Sequence, residues 1–106
     1  MNWKYITSTQ DVDEIIQKSS IKKQAIFKHS TRCSISALAL SRVERSNENL
    51  DIDFYFLDLL KYRDVSNYIA DILKVVHQSP QLILIDEGKP IQVQTHQSID
   101  LNELSV

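Results

Sequence analysis

The feature that most restricts the fold is an alternation of hydrophobic period along the chain. Ala25-Ile26-Phe27 reads as a buried strand, and IDFYFL, Ile52 to Leu57, is too continuously apolar and aromatic for a surface strand, so it suits a central one. Elsewhere apolar residues recur at helical spacing. Val12, Ile15 and Ile16 share one face of a first helix, with Thr9 as its cap and Asp11, Asp13 and Glu14 near its positive end. From Cys33 to about Ser46 a second helix turns Ile35, Leu38, Ala39 and Val43 inward, and Asn47 to Asn49 break it. Val65, Ile69, Ile72, Leu73 and Val76 make a third helix, which His77 ends, where a cation is favoured.

The single glycine and both prolines fall between residues 80 and 90, where the period changes again. Leu82 to Ile85 is a strand, Asp86-Glu87-Gly88-Lys89 a turn with Gly88 at positive φ, and Ile91 and Val93 alternate with Gln92 and Gln94. That is a hairpin with a half-exposed outer strand. A short last helix starts near Asp100, which stands at capping-box distance from Glu103. The order is α, β, α, β, α, β, β, α. A strand–helix–strand unit is parallel and right-handed, and the hairpin adds antiparallel strands to it. The expected fold class is α/β, a four-stranded mixed sheet flanked by helices on both faces. With 106 residues, 42% of them hydrophobic and 25% charged, residues 1–106 suit one domain.

Composition narrows the function classes. No stretch reaches the roughly 18 apolar residues of a membrane span, and MNWKYITSTQD lacks the apolar run of a secretory signal, so a cytoplasmic protein is expected. A net charge of −2 with acids and bases intermixed predicts neither nucleic-acid nor membrane partners; small molecules and other proteins remain. One cysteine forms no internal disulfide and no multi-thiolate zinc site, and His29, His77 and His96 lie at no metal-ligand spacing. No metal is expected.

The chemistry concentrates in KHSTRCSIS, Lys28 to Ser36, around Cys33. Directly after a strand and in the first turn of a helix, a sulfur meets unpaired N–H groups and the positive end of the helix dipole, which favour the thiolate. Ser36, one turn on, is placed to donate its hydroxyl or its N–H to that sulfur. Lys28, His29 and Arg32 add positive potential, and His29 in the polar loop is a base candidate, with a loop-surface or substrate-facing role the expected one. Without a second thiol, Cys33 attacks a disulfide between a protein and a small thiol, or becomes one, and another thiol from solution releases it. Pro80 starts a strand, where its missing N–H does least harm.

AIFKHSTRCSIS, HQSPQLILIDEGKPI, Trp3 and ITSTQDVDEII together resemble the monothiol bacilliredoxins, over essentially the whole chain. The resemblance implies a thioredoxin-like fold and reduction of protein–bacillithiol mixed disulfides, with Cys33 as the attacking sulfur and thiol-modified client proteins as partners. It implies no bound cofactor and bacillithiol as co-substrate, whose malyl carboxylates Lys28, Arg32 or the last helix start near Ser98 are available to meet. Ser79-Pro80 matches the family's proline, cis and facing the cysteine, so that Ser79 backbone groups hold the incoming disulfide. The family usually has proline after its cysteine; here Ser34 stands there. RCS-x-S, Arg32 to Ser36, also resembles the arsenate-reductase and redox-regulator family, and a non-catalytic redox sensor or adaptor on the same fold stays open.

Overall fold

The computed structural model describes residues 1–46 and 50–104; the expected helix break at 47–49 lies outside them. Its strands are β1 (Lys4–Tyr5), β2 (Lys23–His29), β3 (Ile52–Asp58), β4 (Gln81–Asp86) and β5 (Lys89–Thr95), and its helices α1 (Thr9–Lys18), α2 (Ser34–Arg45) and α3 (Arg63–Leu73). They form one mixed sheet in the order β1-β3-β2-β4-β5. β2 and β3 run parallel, from Lys23 opposite Ile52 to His29 opposite Asp58, as the strand–helix–strand reading expects. β4 pairs antiparallel with both β2 and β5.

The sheet has five strands instead of the expected four. The additional β1 sets Lys4 opposite Tyr55 and Tyr5 opposite Phe56. Two exposed residues show neither an apolar run nor an alternation, so period analysis has nothing to detect. The hairpin turn forms as expected, with Gly88 at φ 77° and Glu87 at φ 50°.

Side-chain alternation along β2 divides the core in two. Ile26 faces α1 and α3 with Val12, Ile15, Val65, Ile69, Leu73, Ile83 and Ile85. Ala25 and Phe27 face α2 and the C-terminal segment with Ala39, Val43, Leu82, Leu84, Ile99 and Leu101. His29 therefore lies on the α2 side and Lys28 on the α1/α3 side, and this parity decides what each can do.

Helix details depart from expectation in four places. Ser8, not Thr9, caps α1: its hydroxyl accepts the Asp11 N–H. On α2 the buried stripe is Ser36, Ala39 and Val43, at spacings of three and four, while Ile35 and Leu38 are 42% and 63% exposed. The stripe is rotated because a serine, not an isoleucine, takes the first inward position. α3 stops at Leu73, since Lys74 turns left-handed at φ 57°; Ile72 and Val76 are left exposed, Val75 is buried and His77 falls beyond the helix. Finally, the last helix is two 3₁₀ turns, His96–Ser98 and Leu101–Glu103, the second capped by Asp100. Gln94 competes for the main chain there: its amide donates to Asp100 O and accepts from Asp100 N–H, so β5 and not a longer helix anchors the tail.

Candidate active site

β2 ends at His29, a turn follows, and α2 begins at Ser34, so the chain reverses between the end of the central strand and a helix start within a few residues. Cys33 is the N-cap of α2, at φ −108° and ψ 120°. Its N–H donates to Ser30 O at 3.2 Å and its carbonyl accepts the Ala37 N–H at 3.0 Å. Caps are usually Ser, Thr, Asp or Asn, whose oxygen accepts a first-turn N–H. Here the side chain is a thiol, partly exposed, with no capping hydrogen bond, and the first turn carries no acid. A thiolate at this position meets free N–H donors and the helix dipole without a competing carboxylate.

Ser36 does not serve the sulfur with its hydroxyl, as the sequence reading allows. It is fully buried; its Oγ accepts the Ser30 N–H at 3.1 Å and lies 2.7 Å from His29 Nδ1. The hydroxyl thereby ties the turn before Cys33 to the end of β2. His29 is likewise not a loop-surface residue: it is 6% exposed, its ring against Phe27 and Phe56 with centroids 6.0 and 5.3 Å away. Burial depresses its basicity below the ordinary imidazole value, opposed by the charges of Asp58 and Glu44.

Lys28 lies furthest from its expected place. It is fully buried on the opposite side of the sheet, where Nζ donates to Ser66 O at 3.1 Å and sits 3.3 Å from His77 Nδ1. It cannot present its charge to a substrate carboxylate. Desolvation lowers its pKa to about 8. His77 lies beyond the end of α3, so it does not end the helix as expected, and desolvation with the charges of Lys28 and Arg63 shifts its pKa down. Arg32 remains exposed next to Cys33 and is the cation that solution can reach there.

The Ser79–Pro80 peptide bond is cis, as the resemblance implies. Lys28 pairs with Gln81 across β2 and β4, and one step further along that register His29 comes opposite Pro80. The Ser79 hydroxyl is buried and has no partner among the described residues. His96 N–H donates to Pro80 O at 3.1 Å, and Arg42 of α2 donates to His96 O at 3.0 Å and to Ile99 O at 3.4 Å. Arg42 thus straps the tail to the cysteine helix; the sequence shows a basic residue on α2 but not its target. Ser98 spends its hydroxyl on Thr95, accepting from Thr95 N and donating to Thr95 O, and starts no helix able to hold an anion. Among the described residues no cluster of His, Cys, Asp or Glu could hold a metal ion, and no helix is long and apolar enough to cross a membrane.

Comparison with known proteins places this arrangement. The family model described as monothiol bacilliredoxin BrxC matches residues 4–104. A solved structure described as a candidate oxidoreductase with a thioredoxin fold is 30% identical, covering 92% of this chain and 86% of its own, with a TM-score of 0.81. Thioredoxin from Fasciola hepatica superposes with a TM-score of 0.71 at 14% identity, over 87% of this chain and 85% of that one. Mitochondrial thioredoxin 3 from Saccharomyces cerevisiae gives 0.66 at 18% identity, over 86% and 80%. The two thioredoxins show the fold alone, and that fold is thioredoxin-like.

Proposed function

The chain belongs to the monothiol bacilliredoxin family, and on that premise we propose that it reduces mixed disulfides between client proteins and bacillithiol through Cys33 alone. The main support is a partly exposed cysteine at the N-cap of α2 in a chain with no second cysteine. The Cys33 thiolate attacks the bacillithiol sulfur of the mixed disulfide. One S–S bond forms between Cys33 and bacillithiol, the client S–S bond breaks, and the client leaves as thiolate. A second small thiolate from solution then attacks the Cys33 adduct, forming a free small-thiol disulfide and regenerating Cys33. Each step exchanges one disulfide for another, so no further oxidant or bound cofactor takes part.

In this reading the client segment lies along Ser79–Pro80, across from His29, and Arg32 meets the malyl carboxylates of bacillithiol. A free thiol of this kind suits the reducing cytoplasm. Turnover tests the proposal: substoichiometric protein should release bacillithiol repeatedly from a modified client when excess free thiol is supplied, and Cys33→Ser should release none. Trapping of one equivalent without further release would make the protein a sensor, not a catalyst.

A further inference from the structure

We propose that the His29 imidazole is a positioning residue for thiol exchange at Cys33, acting through the Ser36 hydroxyl on the turn that carries the cysteine. The inference rests on the thiol-exchange reading above and deepens it. Ser36 Oγ has one hydrogen and two lone pairs. The Ser30 N–H must donate, so Oγ accepts it, at 3.1 Å. Its own hydrogen then needs an acceptor, and His29 Nδ1 at 2.7 Å supplies one. The reverse tautomer, with a proton on Nδ1, would leave the hydroxyl hydrogen of a fully buried serine without an acceptor among the described residues.

The chain of bonds is short and spans the site. His29 ends β2, Ser36 belongs to the first turn of α2, and Ser30 opens the turn whose carbonyl in turn accepts the Cys33 N–H at 3.2 Å. His29 is therefore the sheet-anchored end of a relay that runs to the backbone of the cysteine. Its ring is held by Phe27 and Phe56, so it has little freedom to follow a loosened Ser36. The charged groups that bear on it are Asp58 of β3 and Glu44 of α2; from β4 the residue on the same face is Leu82, opposite Phe27, and it does not titrate, nor does Pro80 just before that strand.

Protonation reverses one bond. Nδ1 becomes a donor, Ser36 Oγ must accept from both Nδ1 and Ser30, and the hydroxyl hydrogen of a buried serine is left without an acceptor among the described residues. The turn's anchor is strained by that unmet donor, and Cys33 is held less firmly at the cap. The exchange rate per thiolate should therefore fall as His29 takes a proton, below the ordinary imidazole value of about 6.5.

The test uses dipyridyl disulfide, an uncharged probe that needs neither bacillithiol nor Arg32, from about pH 5 to 8. Rates are divided by the thiolate fraction measured from ultraviolet absorbance, which removes the titration of Cys33 itself. Wild type is expected to lose several-fold in rate per thiolate at the acid end. His29→Leu should be slower than wild type by about tenfold at neutral pH, one lost hydrogen bond being worth about that factor, with the gap narrowing at the acid end. His29→Asn, whose amide oxygen can accept near the Nδ1 position, should recover most of that loss and show a flat profile. A folded His29→Leu reacting at the wild-type rate overturns the proposal, as does an acid loss that persists in His29→Asn; if His29→Leu fails to fold, the asparagine profile decides. A wild-type protein whose Cys33 exchanges with no disulfide at all removes the underlying function, a result distinct from either.

Discussion

Lys28 and Arg32 lie four residues apart and meet opposite environments, because strand parity turns the first into the α1/α3 core and the second sits in a solvated turn. Both look alike in sequence, as cations flanking a cysteine. What separates them is that Lys28 belongs to β2, which continues past the apolar run Ala25 to Phe27 as far as His29. The lysine's exit from water has a measurable consequence. Its folded pKa of about 8 lies below the unfolded value of 10.5, so the unfolded chain binds more protons between the two. Stability should rise as pH climbs from about 8 through about 10.5, by roughly 3 kcal/mol, with the full cost present at neutral pH. Lys28→Met removes the titration: the stability difference between variant and wild type, measured by denaturant unfolding, should change by that amount over this window. A pH-independent difference would contradict the burial. For Arg32 the expectation concerns specificity. Arg32→Ala should narrow a preference for bacillithiol over glutathione by a few-fold, with matched clients as substrates, whereas Lys28→Met should not act through any direct contact with the thiol. An unchanged ratio in Arg32→Ala would remove the arginine from recognition.

At the scale of the element, α2 shows how far pattern reading reaches. Its extent and the position of Cys33 at its start are legible from the spacing of apolar residues and the polar turn before it. Its rotation is not, because the inward stripe opens with Ser36, whose burial depends on His29 and Ser30 outside the helix. The C-terminal 3₁₀ turns are opaque for a related reason: Gln94 on the preceding strand and Arg42, 54 residues before His96, decide where that segment lies. The start of α2 also explains what Ser34 changes. Ser34 is the first helical residue, where proline is favoured, and Cys33 already has the φ −108° and ψ 120° that a residue before proline requires. Ser34→Pro should therefore be accepted and raise stability by about 0.4–1 kcal/mol, read as an increase in denaturant midpoint. A loss of stability would mean that the Ser34 N–H or hydroxyl holds the turn.

For the molecule as a whole, the apolar runs suffice to indicate the parallel pair, the hairpin and helices on both faces, since each buried strand is continuous in sequence. The fifth strand is invisible because β1 has two exposed residues and exists only by pairing with β3. The site is partly legible in the same sense. Cys33 and Pro80 announce themselves by residue type, while the roles of Lys28, His29 and Ser36 depend on which side of the sheet each one faces. Because Cys33 is partly exposed and makes no side-chain capping bond, Cys33→Ser should keep the fold, with a thermal midpoint within a few degrees of wild type, while abolishing exchange. The most direct test of the central claim is intact mass of both proteins after one round with a client carrying bacillithiol on a single cysteine. The expected result is one bacillithiol added to this chain at Cys33 for each client thiol freed, and no adduct on Cys33→Ser. A freed client with no adduct on Cys33, or a client that keeps its bacillithiol, would contradict it.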